Sequence, residues 1–139
     1  MLAASATAGT LVGFGIIRGA PVYLLNTMAH ALLGARALAT RAFDLPVTVT
    51  GLALHVVTLI LYGVIFITLC GRLRGWRLVL AAVAFAAVVA LFDLVLLPPV
   101  LRPGFETVLG TGELVAIFVE LATALVLGAR IFDRRGVVA

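Results

Sequence analysis

The stretch Gly71-Arg72-Leu73-Arg74-Gly75-Trp76-Arg77 is a short basic turn between two long apolar runs. Each run is close to the length of about 20 residues that an α-helix needs to cross about 30 Å of hydrocarbon. Two helices joined by so short a turn must run in opposite directions. The stretch therefore predicts a helical hairpin in a membrane, with three arginines at one end of it.

Composition supports the same environment. The chain has 139 residues, of which 64% are hydrophobic and only 12% are charged, whereas soluble domains are about 45–50% apolar. All ten basic residues are arginines and lie mainly between apolar runs. This distribution predicts a lipid bilayer as the surroundings and argues against a nucleic-acid partner. The single cysteine, Cys70, excludes a disulfide or a cysteine zinc site within one chain.

Four apolar segments predict an all-α fold, a four-helix transmembrane bundle forming a single domain over residues 1–139. The predicted spans cover residues 8–31, 50–70, 78–97 and 111–131. The first span is irregular because it contains four glycines and Arg18, and because Pro21 removes a backbone donor and should kink or break the helix. Two interpretations fit it: one kinked helix, which we favour, or a short helix that ends near Arg18 followed by another that starts at Pro21.

The arginines also predict orientation, because loops on the cytoplasmic side of a membrane are enriched in basic residues. With the basic turn in the cytoplasm, four spans place both termini there as well. Three arginines would then lie outside, at positions 36, 41 and 102. The predicted location is a bacterial inner membrane. The predicted cytoplasmic anchors are Arg72, Arg74, Arg77, Arg130, Arg134 and Arg135.

Ionisable residues inside apolar spans are costly and therefore mark paired or functional groups. From a rise of about 1.5 Å per residue, His55, Asp93 and Glu113 lie about 22–25 Å above the basic turn. We predict a polar cluster of these three residues, with His30 as a possible fourth member. Such a group could bind a metal, relay protons or act as acid and base. The alternative, which we favour, is a set of structural hydrogen bonds between helices, and no metal-binding motif is present.

Arg18 and Glu120 both lie about 15 Å from the predicted inner face when depth is counted along the helices. Their opposite charges predict a buried ion pair. The alternative is that Arg18 extends to a membrane interface from a short first helix.

His30 and His55 raise a cofactor hypothesis, because both are predicted near the outer face on adjacent spans. Two histidines on facing helices could ligate a haem. We expect no cofactor, and haem binding through His30 and His55 is the alternative.

One group of proteins resembles this chain. The residues Gly51-Leu-Ala-Leu-His55, then Tyr62-Gly63, the arginine turn and a further apolar helix are similar to a pattern in uncharacterised small bacterial four-helix integral membrane proteins. The similarity extends over about residues 9–97. It implies the four-helix membrane fold and carries no known activity.

Three function classes remain open, and the first is favoured. The chain is predicted to be an accessory or interaction subunit that packs with other membrane proteins or with itself, as a homo-oligomer or part of a larger complex. The second class is a small oligomeric transporter or channel protomer that uses intramembrane carboxylates. The third is an intramembrane enzyme or haem-binding protein; enzymatic activity is left open and is not favoured.

Overall fold

The computed structural model describes residues 2–135, with side chains described for residues 3–132. This part of the chain consists of helices joined by irregular segments and contains no strands. The α-helices are α1 (Leu2–Ile17), α2 (Tyr23–Met28), α3 (His30–Leu33), α4 (Ala35–Ala39), α5 (Leu45–Cys70), α6 (Gly75–Leu91) and α7 (Thr111–Arg135). A π-helical turn, Phe92–Leu96, extends α6, and short 3-10 turns cover Pro99–Leu101 and Phe105–Thr107.

Three helical segments are long and apolar enough to cross a membrane. They are Leu45–Cys70, Gly75–Leu96 and Thr111–Phe132. They match the predicted second, third and fourth spans within a few residues. The second starts earlier than predicted, at Leu45, because Asp44 caps its N-terminus.

The predicted single kinked span over residues 8–31 is wrong, because α1 ends at Ile17. Gly19 adopts a left-handed backbone with φ of 68°. Its N–H donates to the Ile16 carbonyl at 3.0 Å, and the Ala20 N–H donates to the Gly15 carbonyl at 2.8 Å. These two bonds are those of a Schellman motif, which satisfies the last carbonyls of a helix. The other interpretation, a helix ending near Arg18, is close to what is observed.

Residues 18–44 and 97–110 gather at one end of the molecule, which we call the loop end; residues 71–74 lie at the opposite turn end. α2 packs against α5 so closely that a Cβ at Gly51 would clash with the Leu25 carbonyl oxygen. Only glycine allows this crossing. α2 therefore lies across the start of α5 at the loop end instead of continuing α1 through the membrane.

Hydrogen bonds of Asn26 connect α2 to residues 40–42 and to α5 at the loop end, although Asn26 lies in a mainly apolar stretch. Its side-chain nitrogen donates to the carbonyls of Thr40 at 2.9 Å and Ala42 at 3.0 Å. Its Oδ1 accepts a hydrogen bond of 2.7 Å from the Thr48 hydroxyl. Since Asn26 is fully buried, these bonds replace the water that its amide would otherwise need.

α1, α5, α6 and α7 pack around two apolar clusters, with α7 contacting both α1 and α6. One cluster is nearer the turn end and includes Phe66, Leu78 and Leu125. The other is nearer the loop end and includes Leu11, Leu24 and Phe105. α5 packs least: only 11% of its most apolar window is buried, compared with 39% for α7.

The Schellman turn predicts different effects on stability for a glycine substitution within α1 and one just after it. Gly19→Ala should destabilise the protein by about 1 kcal/mol, because a Cβ is unfavourable at positive φ. Gly9→Ala is the matched control, since Gly9 is helical and a Cβ there meets no atom within 4 Å; it should be neutral or stabilise by up to about 1 kcal/mol. Unfolding free energies in mixed micelles would test this. Equal effects of the two substitutions would contradict the assigned turn.

Asp44, which lies outside the membrane-spanning segments, predicts a pH dependence of the protein's stability. Its carboxylate accepts from the Val47 N–H at 3.1 Å, and Arg36 donates to both carboxylate oxygens at 3.0 and 3.2 Å. The capping bond first, and Arg36 second, hold the pKa of Asp44 below its usual value. The stabilisation is therefore fully present above about pH 4, the ordinary aspartate value, and is lost as pH falls through the lower folded pKa.

Asp44→Asn isolates this contribution, because asparagine also caps a helix but carries no charge. The wild type should be more stable than the variant at pH 6, and the difference should shrink below about pH 4. Unfolding measured in detergent between pH 6 and pH 2 would show it. A difference that stays constant over this range would rule out the charge of Asp44 as its source.

Candidate functional site

A cavity of about 300 Å³ lies between the helices at the level of His55 and Asp93. We call it the central cavity. Its wall is mainly apolar and comes from α1, α5, α6, α7 and the loop end. The polar residues that line it are Thr7, His55, Thr58, Tyr62, Asp93 and Arg102.

His55 is held against α1. Its Nε2 lies 2.9 Å from the Thr7 Oγ1, and the Thr7 hydroxyl donates its proton to the Ala3 carbonyl at 2.8 Å. The direction of the hydrogen bond between His55 Nε2 and Thr7 Oγ1 is set by the tautomer of the imidazole. This bond holds the start of α1 against the middle of the bundle.

Asp93 faces the cavity from the π-helical turn at the end of α6. It is only 8% exposed, and its Oδ1 accepts a hydrogen bond of 2.5 Å from the Tyr62 hydroxyl. Oδ2 makes no hydrogen bond with the described part of the chain. The pair joins α5 to α6 and leaves one carboxylate oxygen without a partner.

Glu106 and Arg102 supply the nearby charges. Glu106 is close enough to Asp93 to act on it electrostatically, and its Oε2 is buried without a hydrogen-bond partner in the described residues. The Arg102 side chain donates to the carbonyls of Leu97 at 3.0 Å and Val95 at 3.1 Å. The guanidinium therefore caps the end of α6, where a cation is favourable, and leaves the carboxylates without an ion pair.

The four residues of the predicted polar cluster separate in the structure. His55 and Asp93 both line the central cavity, whereas Glu113 and His30 do not. The Nδ1 and Nε2 of His30 lie 3.0 and 3.1 Å from the carbonyl oxygens of Thr27 and Pro99. Depth along a helix was the basis of the prediction, and it does not specify the direction in which a side chain points around the helix axis.

The predicted Arg18–Glu120 pair is wrong, because Arg18 pairs with Glu113. The Arg18 Nη2 contacts the two carboxylate oxygens of Glu113 at 2.7 and 2.5 Å. Since α1 ends at Ile17, Arg18 lies at the loop end, at the level where α7 begins. Glu113 also accepts from the Gly110 N–H at 2.9 Å. The Oε2 of Glu120 is buried without a hydrogen-bond partner in the described residues.

Several residues of the site were missed by sequence reasoning. Thr7, Thr58 and Tyr62 are common residue types in apolar helices, and Glu106 lies outside the spans. The available signal in the sequence was the presence of Asp93 on one predicted span and Tyr62 on the neighbouring one. A carboxylate inside a span needs a hydrogen-bond donor, and a tyrosine hydroxyl can provide it.

A second concave surface lies on the outside of the α6–α7 pair. We call it the α6–α7 groove, and its volume is about 660 Å³. Its α6 wall consists of small side chains, and its α7 wall of larger apolar ones. The α6 residues that line it are Val79, Ala82, Val83, Ala86, Ala87 and Ala90.

Comparison with protein-family models, curated proteins and solved structures finds no match for this chain. The resemblance to small four-helix bacterial membrane proteins therefore stays a prediction. Among the described residues, no group of three or more His, Cys, Asp and Glu side chains could hold a metal ion. A haem between His30 and His55 gains no support from the geometry, since His30 is turned toward two backbone carbonyls.

A double-mutant cycle would test the observed ion pair. Arg18→Gln and Glu113→Gln should each destabilise the protein, and the double variant should lose less than the sum of the two, because the first change already removes the pair. The cycle of Arg18→Gln with Glu120→Gln is the control and should be additive. Unfolding free energies in micelles would measure both couplings. Coupling to Glu120 in place of Glu113 would contradict the geometry described above.

Proposed function

We propose that this chain is a multi-pass protein of a bacterial inner membrane, in which α1, α5, α6 and α7 form a four-helix bundle with both termini in the cytoplasm. The three spanning segments and the arginines of the turn, Arg72, Arg74 and Arg77, support this topology. The 16 residues of α1 extend about 24 Å, which is shorter than a full span.

We further propose that it is an interaction subunit and that its helices associate with those of a second copy. The α6–α7 groove carries this proposal. In a membrane, helices associate through close packing at small residues, because lipid offers no hydrophobic driving force between them. Val79, Val83 and Ala87 line the groove, are exposed and follow one another every four residues along α6, so they form a continuous wall of small to medium side chains that a second helix can reach.

The matching surface on the second copy is the outer face of α5. Val57, Leu61 and Val64 are 63%, 54% and 57% exposed, and they recur every three or four residues, as a single helical ridge does. α5 is the least packed of the long helices. One copy thus offers an apolar ridge without neighbours and an apolar groove without an occupant. The two surfaces differ, so the contact between copies is head-to-tail. An assembly with such contacts is closed only when the copies form a ring.

Filling the groove should weaken the association. Ala87 is exposed and lines the groove. Ala87→Leu should reduce association about 5- to 150-fold, because overpacking costs about 1–3 kcal/mol. Ala84→Leu is the matched control, since Ala84 is also exposed on α6 but does not line the groove. Oligomer populations counted by single-molecule photobleaching in lipid bilayers would measure the difference.

Disulfide cross-linking would identify the contact. In a Cys70→Ala background, Leu61→Cys and Ala87→Cys on separate copies should cross-link, since both lie about 15–18 Å from the turn end, whereas Leu61→Cys and Ala84→Cys should not. A chain that remains monomeric in bilayers at high protein density would refute self-association. Cross-linking between two Ala87→Cys copies alone would refute the pairing of ridge with groove.

A further inference from the structure

We infer that the central cavity is a binding site for a small organic cation, an ammonium group carried on an apolar body. This inference does not rest on the proposed self-association, although Phe118 lines both the cavity and the groove and Leu61 belongs to both the cavity wall and the α5 ridge. It depends on the shape of the cavity, the charge of its wall and its aromatic side chains.

The cavity has the size and composition of a ligand site. Pockets of about 300–1,000 Å³ with apolar walls and a few polar groups are typical of small-molecule sites. Leu61 and Phe92 line this cavity and are also exposed, so its mouth opens between α5 and the end of α6. In a single copy that face of the bundle lies against lipid in the proposed topology, so an amphipathic ligand can enter from the bilayer before a second copy covers Leu61.

The wall of the cavity contains one carboxylate, that of Asp93. Its Oδ2 makes no hydrogen bond with the described residues, whereas its Oδ1 accepts one from the Tyr62 hydroxyl. The charged group that acts on Asp93 is Glu106, which is also acidic. Arg102 lines the cavity but donates to carbonyls at the end of α6. A buried carboxylate without a cation favours a ligand that brings one.

Aromatic rings make the wall specific for a soft cation. Tyr62, Phe92, Phe105 and Phe118 all line the cavity. The face of an aromatic ring attracts a cation by about 0.5–2 kcal/mol, and cages of such rings recognise quaternary ammonium groups. A hydrated metal ion is not favoured here, because it prefers several oxygen ligands, and no cluster able to hold a metal occurs among the described residues.

A pair of probes separates charge from shape. Benzyltrimethylammonium is a small quaternary cation, and neopentylbenzene is its neutral analogue, with carbon in place of nitrogen. Purified protein in nanodiscs of phosphatidylethanolamine and phosphatidylglycerol should be stabilised saturably by the cation, seen as a rise in the unfolding temperature. The neutral analogue should give a much smaller rise. No saturable effect of the cation, or equal effects of both probes, would overturn the inference.

Two substitutions with matched controls locate the binding. Asp93→Asn should weaken binding of the cation at least tenfold, whereas Glu120→Gln removes an intramembrane carboxyl outside the cavity and should leave it unchanged. Phe118→Leu should weaken binding about threefold or more through loss of the cation–π contact. Its control is Phe132→Leu, on the exposed side of the same helix. If Asp93→Asn does not fold, the Phe118 comparison still decides, and unchanged binding in Phe118→Leu would refute the site.

The same assay distinguishes two sources of the cation. In nanodiscs that contain phosphatidylcholine, a lower apparent affinity for benzyltrimethylammonium would identify a lipid choline group as the occupant. An unchanged affinity would identify a free amphipathic amine.

Discussion

The loop end depends on the need to satisfy backbone carbonyls where the chain is not helical. Away from water, an unpaired carbonyl is costly, and irregular backbone at membrane depth is tolerated only when it is buried in protein with its polar groups bonded. Here side chains provide those bonds. Asn26 donates to two carbonyls, Arg102 to two and Tyr23 to one, and His30 faces two more. These bonds allow residues 18–44 and 97–110 to fold over the ends of the long helices.

This requirement separates structural polar residues from candidate functional ones. His30 is a candidate ligand in the sequence and Arg102 an arginine outside the membrane, yet the polar atoms of both contact the backbone. Glu113 pairs with Arg18 and caps the start of α7. Once these groups are assigned, the fully buried side-chain atoms without a partner in the described residues are the Oε2 atoms of Glu106 and Glu120. The Oδ2 of Asp93 also makes no hydrogen bond there, and Asp93 is the one of these three residues that lines the central cavity. A polar group that no structural role explains is a candidate for binding.

The sequence was sufficient for the three long spans, since hydropathy and length report directly on the cost of placing a helix in lipid. It failed for the first span because the outcome depends on the backbone angle of a single residue, Gly19, and on the close contact of α2 with Gly51. This error also caused the wrong ion-pair prediction. Depth counted along an assumed continuous helix placed Arg18 at the midplane, next to Glu120, whereas in the structure Arg18 lies beside Glu113. Asn26 was the missed clue, because a fully polar amide inside an apolar stretch must have a structural partner.

The central cavity and the α6–α7 groove share one wall, and this has a physical consequence. Phe118 lines both, so any movement of its ring that enlarges one space reduces the other. A helix that packs into the groove would press on Phe118 from outside, and a cation in the cavity would hold the ring from inside. Two ligands that bias the same element must affect each other's affinity equally. Self-association and cation binding, if both occur, are therefore linked through α7, and the sign of the coupling depends on whether the two ligands favour the same orientation of Phe118.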